Sequence, residues 1–414
     1  MTEYFDAAET RGADQRAADL AVALPRQIAR AQTAPAMAAA LAGVDAGAIT
    51  TREALAALPV TRKSALVAAQ AENPPYGGYV PGGVAGLRHV FQSPGPIYEP
   101  GGAARDWWRM GRALHAAGVG KGDVVQNCFS YHLTPAGMMF ENGAAAVGAT
   151  VLPAGIGQTE LQVRAAADVG TTAYAGTPDF LKVILGKADE MGVKLPKLTK
   201  AMVGGGALFP SLRQHYADRG IRCVQGYGTA DLGNIAYESM APDGTVDGMI
   251  VDEGVIVEIV RPGTGDPVPD GEVGEVVVTT LNPDYPLIRF ATGDMSAVLA
   301  GRSPCGRTNM RIKGWMGRAD QTTKIKGMFV RPEQVAELVS RHPEIARARV
   351  IASRDGERDV LTVRVESTDA SAGFIAAVEA GVQAALKMRG TVEITAPGTL
   401  PNDGKVIEDV RTYD

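Results

Sequence analysis

Apolar residues recur at helical spacing near the start of the chain. Leu20, Ala23, Leu24, Ile28 and Ala31 form one side of an amphipathic helix between about Ala17 and Ala42. Pro25 falls inside that pattern and implies either a kink or the start of a second helix. The Pro- and Gly-rich stretch from Asn73 to Gly102 then reads as loop, with at most one short strand at Leu87 to Phe91.

From Gly122 to Gly228 the pattern alternates. A short apolar run at Val124-Val125 and Cys128-Phe129 precedes a helix at Ala136 to Val147, a strand at Thr150 to Pro153 and a helix at Glu160 to Val169. Next come a strand at Thr171 to Ala175, a helix at Asp179 to Met191 and a strand at Ala201 to Val203. A helix at Leu212 to Arg219 leads to a strand at Arg222 to Gln225. Such alternation implies βαβ units and a largely parallel sheet, so the fold class is α/β.

The period changes after Asp243. Val255 to Val260 and Glu275 to Thr280 are β-branched runs joined by a Gly-, Pro- and Asp-rich linker, which predicts a hairpin with a long turn. A final module has a helix from near Pro332, strands at Arg347 to Ile351 and Val360 to Val365, a helix at Gly373 to Lys387 and a strand at Thr391 to Ile394. This αββαβ run can stand as a small α+β domain, with a boundary near Asp320.

Composition narrows the class. The 414 residues carry a net charge of −5, with 45% apolar and 21% charged side chains, as in an ordinary globular protein of two or three domains. Mild acidity argues against nucleic acid or an anionic membrane as the main partner. Cys128, Cys223 and Cys305 stand far apart without a CxxC pair, so neither a disulfide framework nor a thiolate-rich zinc site is expected. Met1 to Gln15 has no signal-peptide character, and no stretch approaches the ~18 apolar residues of a membrane helix. A soluble, cytoplasmic protein is the expectation.

Four segments offer chemistry. Gly204-Gly205-Gly206 lies between a strand and a helix, where bare backbone N–H groups can face a ligand; a tight turn explains it equally. Gly226 to Asp231 (GYGTAD) stands at another strand end and offers an aromatic face, a hydroxyl and a carboxylate for a divalent cation; a turn with a structural Tyr is the plainer reading. Ligands of open α/β sheets lie beyond the carboxyl ends of strands, where both segments fall. Asp294, in Arg289 to Asp294, can accept hydrogen bonds from ribose hydroxyls. Lys405 follows a flexible Gly404 and can deliver charge to a phosphate or carboxylate; alone it reads as a solvated lysine.

In order, these segments are joined by Gly143 to Gly155, Gly265 to Glu275, Pro286 to Asp294, Cys305 to Thr308 and Gly317 to Asp320. From about Phe129 to Lys405 the chain resembles the adenylate-forming acyl-CoA ligases, and among them the phenylacetate–CoA ligase family. The resemblance implies a large N-terminal adenylate-forming domain (residues 1–319) of parallel α/β sheets plus an antiparallel β section. A small mobile α+β domain (residues 320–414) follows. It implies attack of a small, aromatic carboxylate on the α-phosphate of ATP, then transfer of the acyl group to CoA with release of AMP. Lys405 resembles the lysine that stabilises the adenylation transition state. Thr229 and Arg318 join it, and Asp294 resembles the ribose ligand. Gly204, Gly205, Gly206 and Ala207 with Gly226, Tyr227, Gly228 and Thr229 resemble the AMP cradle. Asp320 falls at the hinge, Lys326 and Gly327 in the loop of the thioester-forming state, and Tyr131 and His132 in the acyl pocket; for His132 a packed core position is the other reading. Asp231 stands where the family holds Mg2+.

The chain departs from the family in three places. The phosphate loop reads Phe91 to Pro100 (FQSPGPIYEP), where Pro94, Pro96 and Pro100 remove N–H donors, lysine is absent and Glu99 adds negative charge. Asp231 is one methylene shorter than the family's Glu. Of the Cys and His that bind zinc in some relatives, Cys305 remains with Ser239, so no zinc is expected. Two readings therefore stay open: an active AMP-forming ligase, or an impaired relative that binds AMP, acyl-adenylate or CoA without ATP-dependent activation. The N-terminal amphipathic helix suggests a homodimer interface.

Overall fold

The computed structural model describes residues 4–93, 97–319, 323–325, 328–355, 358–401, 403 and 405–411. Apolar periodicity sets most of its elements. Helices Ala136–Val147, Thr159–Val169 and Pro178–Glu190 alternate with strands Val124–Asn127, Thr150–Leu152, Ala173–Gly176 and Lys200–Val203. Helices Pro178–Glu190 and Pro210–Asp218 begin at their prolines, slightly before the expected starts, because a first-turn residue loses no helical hydrogen bond when its N–H is missing.

These strands enter one nine-stranded sheet. Its order is Val298–Leu299, Arg311–Ile312, Val246–Val251, Gly233–Met240, Arg222–Thr229, Lys200–Val203, Ala173–Gly176, Val124–Asn127, Thr150–Leu152. The last five are mutually parallel, in a register such as Val125↔Ala173 and Met202↔Val224. Helices cover this part, and Tyr174, Leu181, Val203, Tyr216 and Cys223 form a core under them. The Arg222–Thr229 strand runs past Gln225, the expected end. Gly226 to Thr229 pairs antiparallel with Gly233–Met240 instead of forming a turn.

Three readings near the N-terminus change. Helix Ala13–Ala31 continues through Pro25. Its buried side, Leu24, Gln27, Ile28 and Ala31, is held by tertiary contacts that offset the lost hydrogen bond, with Gln27 Nε2 donating to the Asn282 carbonyl at 2.9 Å and Arg30 Nε to that of Pro283 at 2.8 Å. Most of that apolar side thus packs within the chain, so its pattern reflects burial in the fold and does not itself indicate a dimer interface. The expected loop at Phe91 to Pro100 is a hairpin, His89–Ser93 against Ile97–Gly101, with Phe91 opposite Glu99 and Val90 opposite Pro100. Pro94 and Pro96 lie outside the described residues.

The chain divides into two compact units: residues 1–257, 278–292 and 299–315, and residues 258–277, 293–298 and 316–414. Strands Val255–Val260 and Gly274–Thr280 are neighbours in a second sheet, ordered Thr61–Arg62, Phe290–Ser296, Gly274–Thr280, Val255–Val260. In the second unit, a four-stranded sheet takes the order Thr391–Thr395, Arg358–Glu366, Arg347–Asp355, Ile407–Asp409. Helices Pro332–Ser340 and Ala372–Leu386 cover it through Val335, Leu338, Val378 and Val382. The Ile407–Asp409 strand, too short to show an alternation, was not expected.

A buried ion pair ties the N-terminal residues into the first unit. Glu9 Oε1 accepts from Arg307 Nε at 2.8 Å and from the Tyr237 hydroxyl at 2.5 Å, and Glu9 Oε2 accepts from the Phe5 N–H at 2.7 Å. Removing one partner leaves the other buried without a counter-charge. Glu9→Ala is expected to destabilise the protein by about 3–5 kcal/mol in urea unfolding, and Glu9→Gln, which keeps an acceptor for Arg307, by less.

Candidate functional site

In the first unit, the two glycine-rich segments stand side by side. Val203 pairs with Gln225 in the parallel ladder, so Gly204 to Gly206 leave the sheet next to Gly226, and Gln225 Nε2 donates to the Gly206 carbonyl at 2.9 Å. Gly205 has φ +68°, a left-handed conformation that favours glycine. At Gly228 a Cβ would come within 2.5 Å of the Gly233 carbonyl oxygen, so the bulged pairing with the next strand requires glycine. Ala207 follows on the same segment, exposed. Tyr227 is buried, and its hydroxyl donates to Thr292 Oγ1 at 3.3 Å. Thr229 Oγ1 accepts from the Leu232 N–H at 3.1 Å and shapes the turn that carries Asp231.

Asp231 is the electrostatic centre of this part. Its carboxylate is fully buried, and Oδ2 accepts from Lys63 Nζ at 2.7 Å, while 36% of the Lys63 side chain stays exposed. Glu99 is also fully buried, with Oε2 accepting from Ser93 Oγ at 2.9 Å. Burial, then the charge of Asp231, pushes the Glu99 pKa up to about 8. Glu99 therefore points into the protein largely protonated at neutral pH, and does not present the negative charge to phosphates that the sequence suggested. Tyr76 is raised to about 12, by burial first and Glu99 second, and burial holds Tyr285 well above the ordinary phenol value, aided by Asp231 and Glu99. Among the described residues, Asp231 Oδ1, Glu99 Oε1 and the Tyr76 and Tyr285 hydroxyls are buried without a hydrogen-bond partner. Lys63 and the inward turn of Glu99 escaped sequence reasoning. Lys63 stands 168 residues before Asp231, and no local spacing links them.

Tyr131 accepts from Asn127 Nδ2 at 2.8 Å, and burial, then the charge of Glu141, raises its pKa. His132 is exposed, which removes the packed-core reading. Around Cys305, the Ser303 hydroxyl lies 3.0 Å from Sγ, and Arg307 donates to Sγ at 3.7 Å and to Ser239 Oγ at 2.7 Å. Burial pushes the Cys305 thiol up, but the hydrogen bonds outweigh it and its pKa is lowered, whereas burial raises Cys128 and Cys223 to about 12.

In the second unit, Asp294 and Arg318 are partners. Arg318 Nη1 donates to Asp294 Oδ1 at 2.8 Å, and their backbones form an antiparallel bridge. The Arg318 side chain is 54% exposed and the Asp294 side chain 11%. Lys405 is exposed and lines a cavity of about 190 Å³ with Arg261, Val335, Val339, Arg347 and Leu400, a lining that includes neither Asp294 nor Arg318. Asp320, Lys326, Gly327 and Gly404 lie outside the described residues.

Comparison with known proteins follows from this geometry. The family model described as AMP-binding enzyme matches residues 103–282. The solved structure of 2-hydroxyisobutyryl-CoA ligase in an open conformation, with 2-HIB-AMP and CoA, superposes with a TM-score of 0.72 at 23% identity, covering 97% of this chain and 92% of that one. The fold is thus that of the adenylate-forming enzymes. The phenylacetate-coenzyme A ligase of Aromatoleum evansii is 33% identical over 272 residues, and that of Thermus thermophilus 29% over 265 residues; each match covers 63% of this chain and 60% of the relative. Over the matched stretch the chain is similar to the phenylacetate-coenzyme A ligases. The matched stretch spans about 60% of the length of these curated relatives.

The protonated Glu99 makes stability depend on pH. Its pKa rises from 4.5 to about 8 on folding, so the folded state binds the extra proton inside that window, and stability falls as pH rises through it. Glu99→Gln keeps a partner for Ser93 without titrating. Between about pH 5 and about pH 8 it is expected to lose on the order of 3 kcal/mol less stability than the parent, measured by urea unfolding across pH.

Proposed function

We propose that this chain is an AMP-forming carboxylate–CoA ligase acting on a small, aromatic acid. The observation that carries the reading is the pair of adjacent strand ends, Gly204–Gly206 and Gly226–Thr229, in a chain similar to the phenylacetate-coenzyme A ligases. The acid class follows the name of its curated relatives, phenylacetate-coenzyme A ligase.

In this reading the backbone N–H groups of Gly204 to Ala207 and Gly226 to Thr229 receive the nucleotide, and Asp294 accepts from the ribose hydroxyls. Arg318, already oriented by Asp294, faces the phosphate side. A carboxylate oxygen of the acid attacks the α-phosphorus, and the bond to the pyrophosphate oxygen breaks. Lys405 stabilises the negative charge that develops on the α-phosphate and carboxylate oxygens. The thiolate of CoA then attacks the acyl carbonyl and AMP leaves. Tyr131 and His132 line the acyl side, Lys326 and Gly327 serve the second step, and the residues from 320 onward swing about Asp320 between the steps. The unpartnered Asp231 Oδ1 suits one ligand position of Mg2+, which binds through one or two carboxylates plus substrate phosphates and would screen phosphate charge. No helix among the described residues is long and apolar enough to cross a membrane.

The impaired alternative drew on the loop prolines, the missing lysine and a charged Glu99 among the phosphates; with Glu99 buried and protonated, the last of these falls away. The test is carboxylate-dependent ATP–pyrophosphate exchange over aryl and short-chain acids. Exchange is expected with aryl acids, and Lys405→Ala should lower it by roughly 10²–10³-fold, the range for loss of one preorganised charge-stabilising donor. Lack of exchange across the whole panel would overturn the reading.

A further inference from the structure

We infer that Lys63 is the side chain that meets the terminal phosphates of ATP. The inference rests on the ligase reading and names a residue outside the segments that suggested it. Lys63 Nζ sits 2.7 Å from Asp231 Oδ2, at the end of the Gly226–Asp231 segment. One side of the ammonium is held by a fully buried carboxylate, while over a third of the side chain remains open. An ammonium has three donors, and a single bond to Asp231 leaves others for an anion.

Two further observations point the same way. Lys63 opens the ten-residue helix Lys63–Glu72, whose N-cap Arg62 supplies no side-chain hydrogen bond to the first-turn N–H groups. Those amides, with the positive end of the helix dipole, suit an anion beside the lysine. The neighbouring hairpin carries no Lys or Arg among its described residues, its His89 lies opposite Gly101 at the end away from the turn, and Glu99 is buried. Terminal phosphates need charge-assisted donors. Lys63 is the cation the structure holds beside Asp231, preorganised by the ion pair and presented at its open side.

The alternative role is structural, with Lys63 only neutralising Asp231. Binding of ATP, inorganic pyrophosphate and AMP by calorimetry to the parent, Lys63→Gln and Lys63→Arg separates the two. Gln keeps a hydrogen-bond donor for Asp231 without charge, and AMP binding itself reports a folded site. Lys63→Gln is expected to weaken ATP and pyrophosphate by roughly ten- to a hundredfold, the size of one charge-assisted hydrogen bond, and to leave AMP within about twofold. Lys63→Arg should recover most of the loss. If the parent binds ATP and AMP but Lys63→Gln weakens both alike, or neither, the inference is overturned and the ligase reading stands. A parent that binds neither nucleotide overturns both.

Discussion

The Arg222–Thr229 strand pairs in two senses along its length, and the candidate site depends on that constraint. Its first half runs parallel to Lys200–Val203; its second half runs antiparallel to Gly233–Met240. The parallel half brings Gly204 to Gly206 beside Gly226. The antiparallel half draws Gly228 against the Gly233 carbonyl, and the turn that joins the two strands carries Asp231. A residue with a Cβ at 228 could not make that approach, so the backbone geometry and the glycine require each other.

Burial then governs the chemistry around Asp231. Two carboxyl groups, Asp231 and Glu99, lie out of water, and two buried anions without compensation would be strongly unfavourable. The protein resolves this asymmetrically. Asp231 takes the Lys63 ammonium as counter-charge, and Glu99 keeps its proton and takes a hydrogen bond from Ser93. The site thus contains one ion pair and one neutral acid, with the Lys63 side chain as the partly exposed member of the pair. Elsewhere in the unit, the Glu9–Arg307 pair solves the same problem with hydrogen bonds from Tyr237 and the backbone.

Much of the fold was legible because burial imprints a period on sequence. Helix Ala136–Val147 and the strand at Val255–Val260 match their patterns to the residue, since an apolar helix face repeats every 3.6 positions and a strand buried along its whole length reads as a short β-branched run. The hairpin at His89–Gly101 was not legible. Its strands are five residues each, and the proline of the second sits opposite Val90 in a two-stranded pair, where a missing N–H is tolerated. The continuous helix through Pro25 was hidden for the opposite reason: tertiary packing overrides a strong local breaker.

The sequence by itself determined the alternation of strand and helix, the change to antiparallel strands after Asp243, and the ordered motifs by which the chain resembles the adenylate-forming acyl-CoA ligases. Those features are local, written in periodicity and in contiguous residues. Only the tertiary structure decided that Lys63 faces Asp231, that Glu99 turns inward, and that Asp294 and Arg318 pair across a backbone bridge. Each of these joins residues distant in the chain or hides one from water. Their positions follow from how the sheets order and bury their strands together, a collective outcome that no local spacing records.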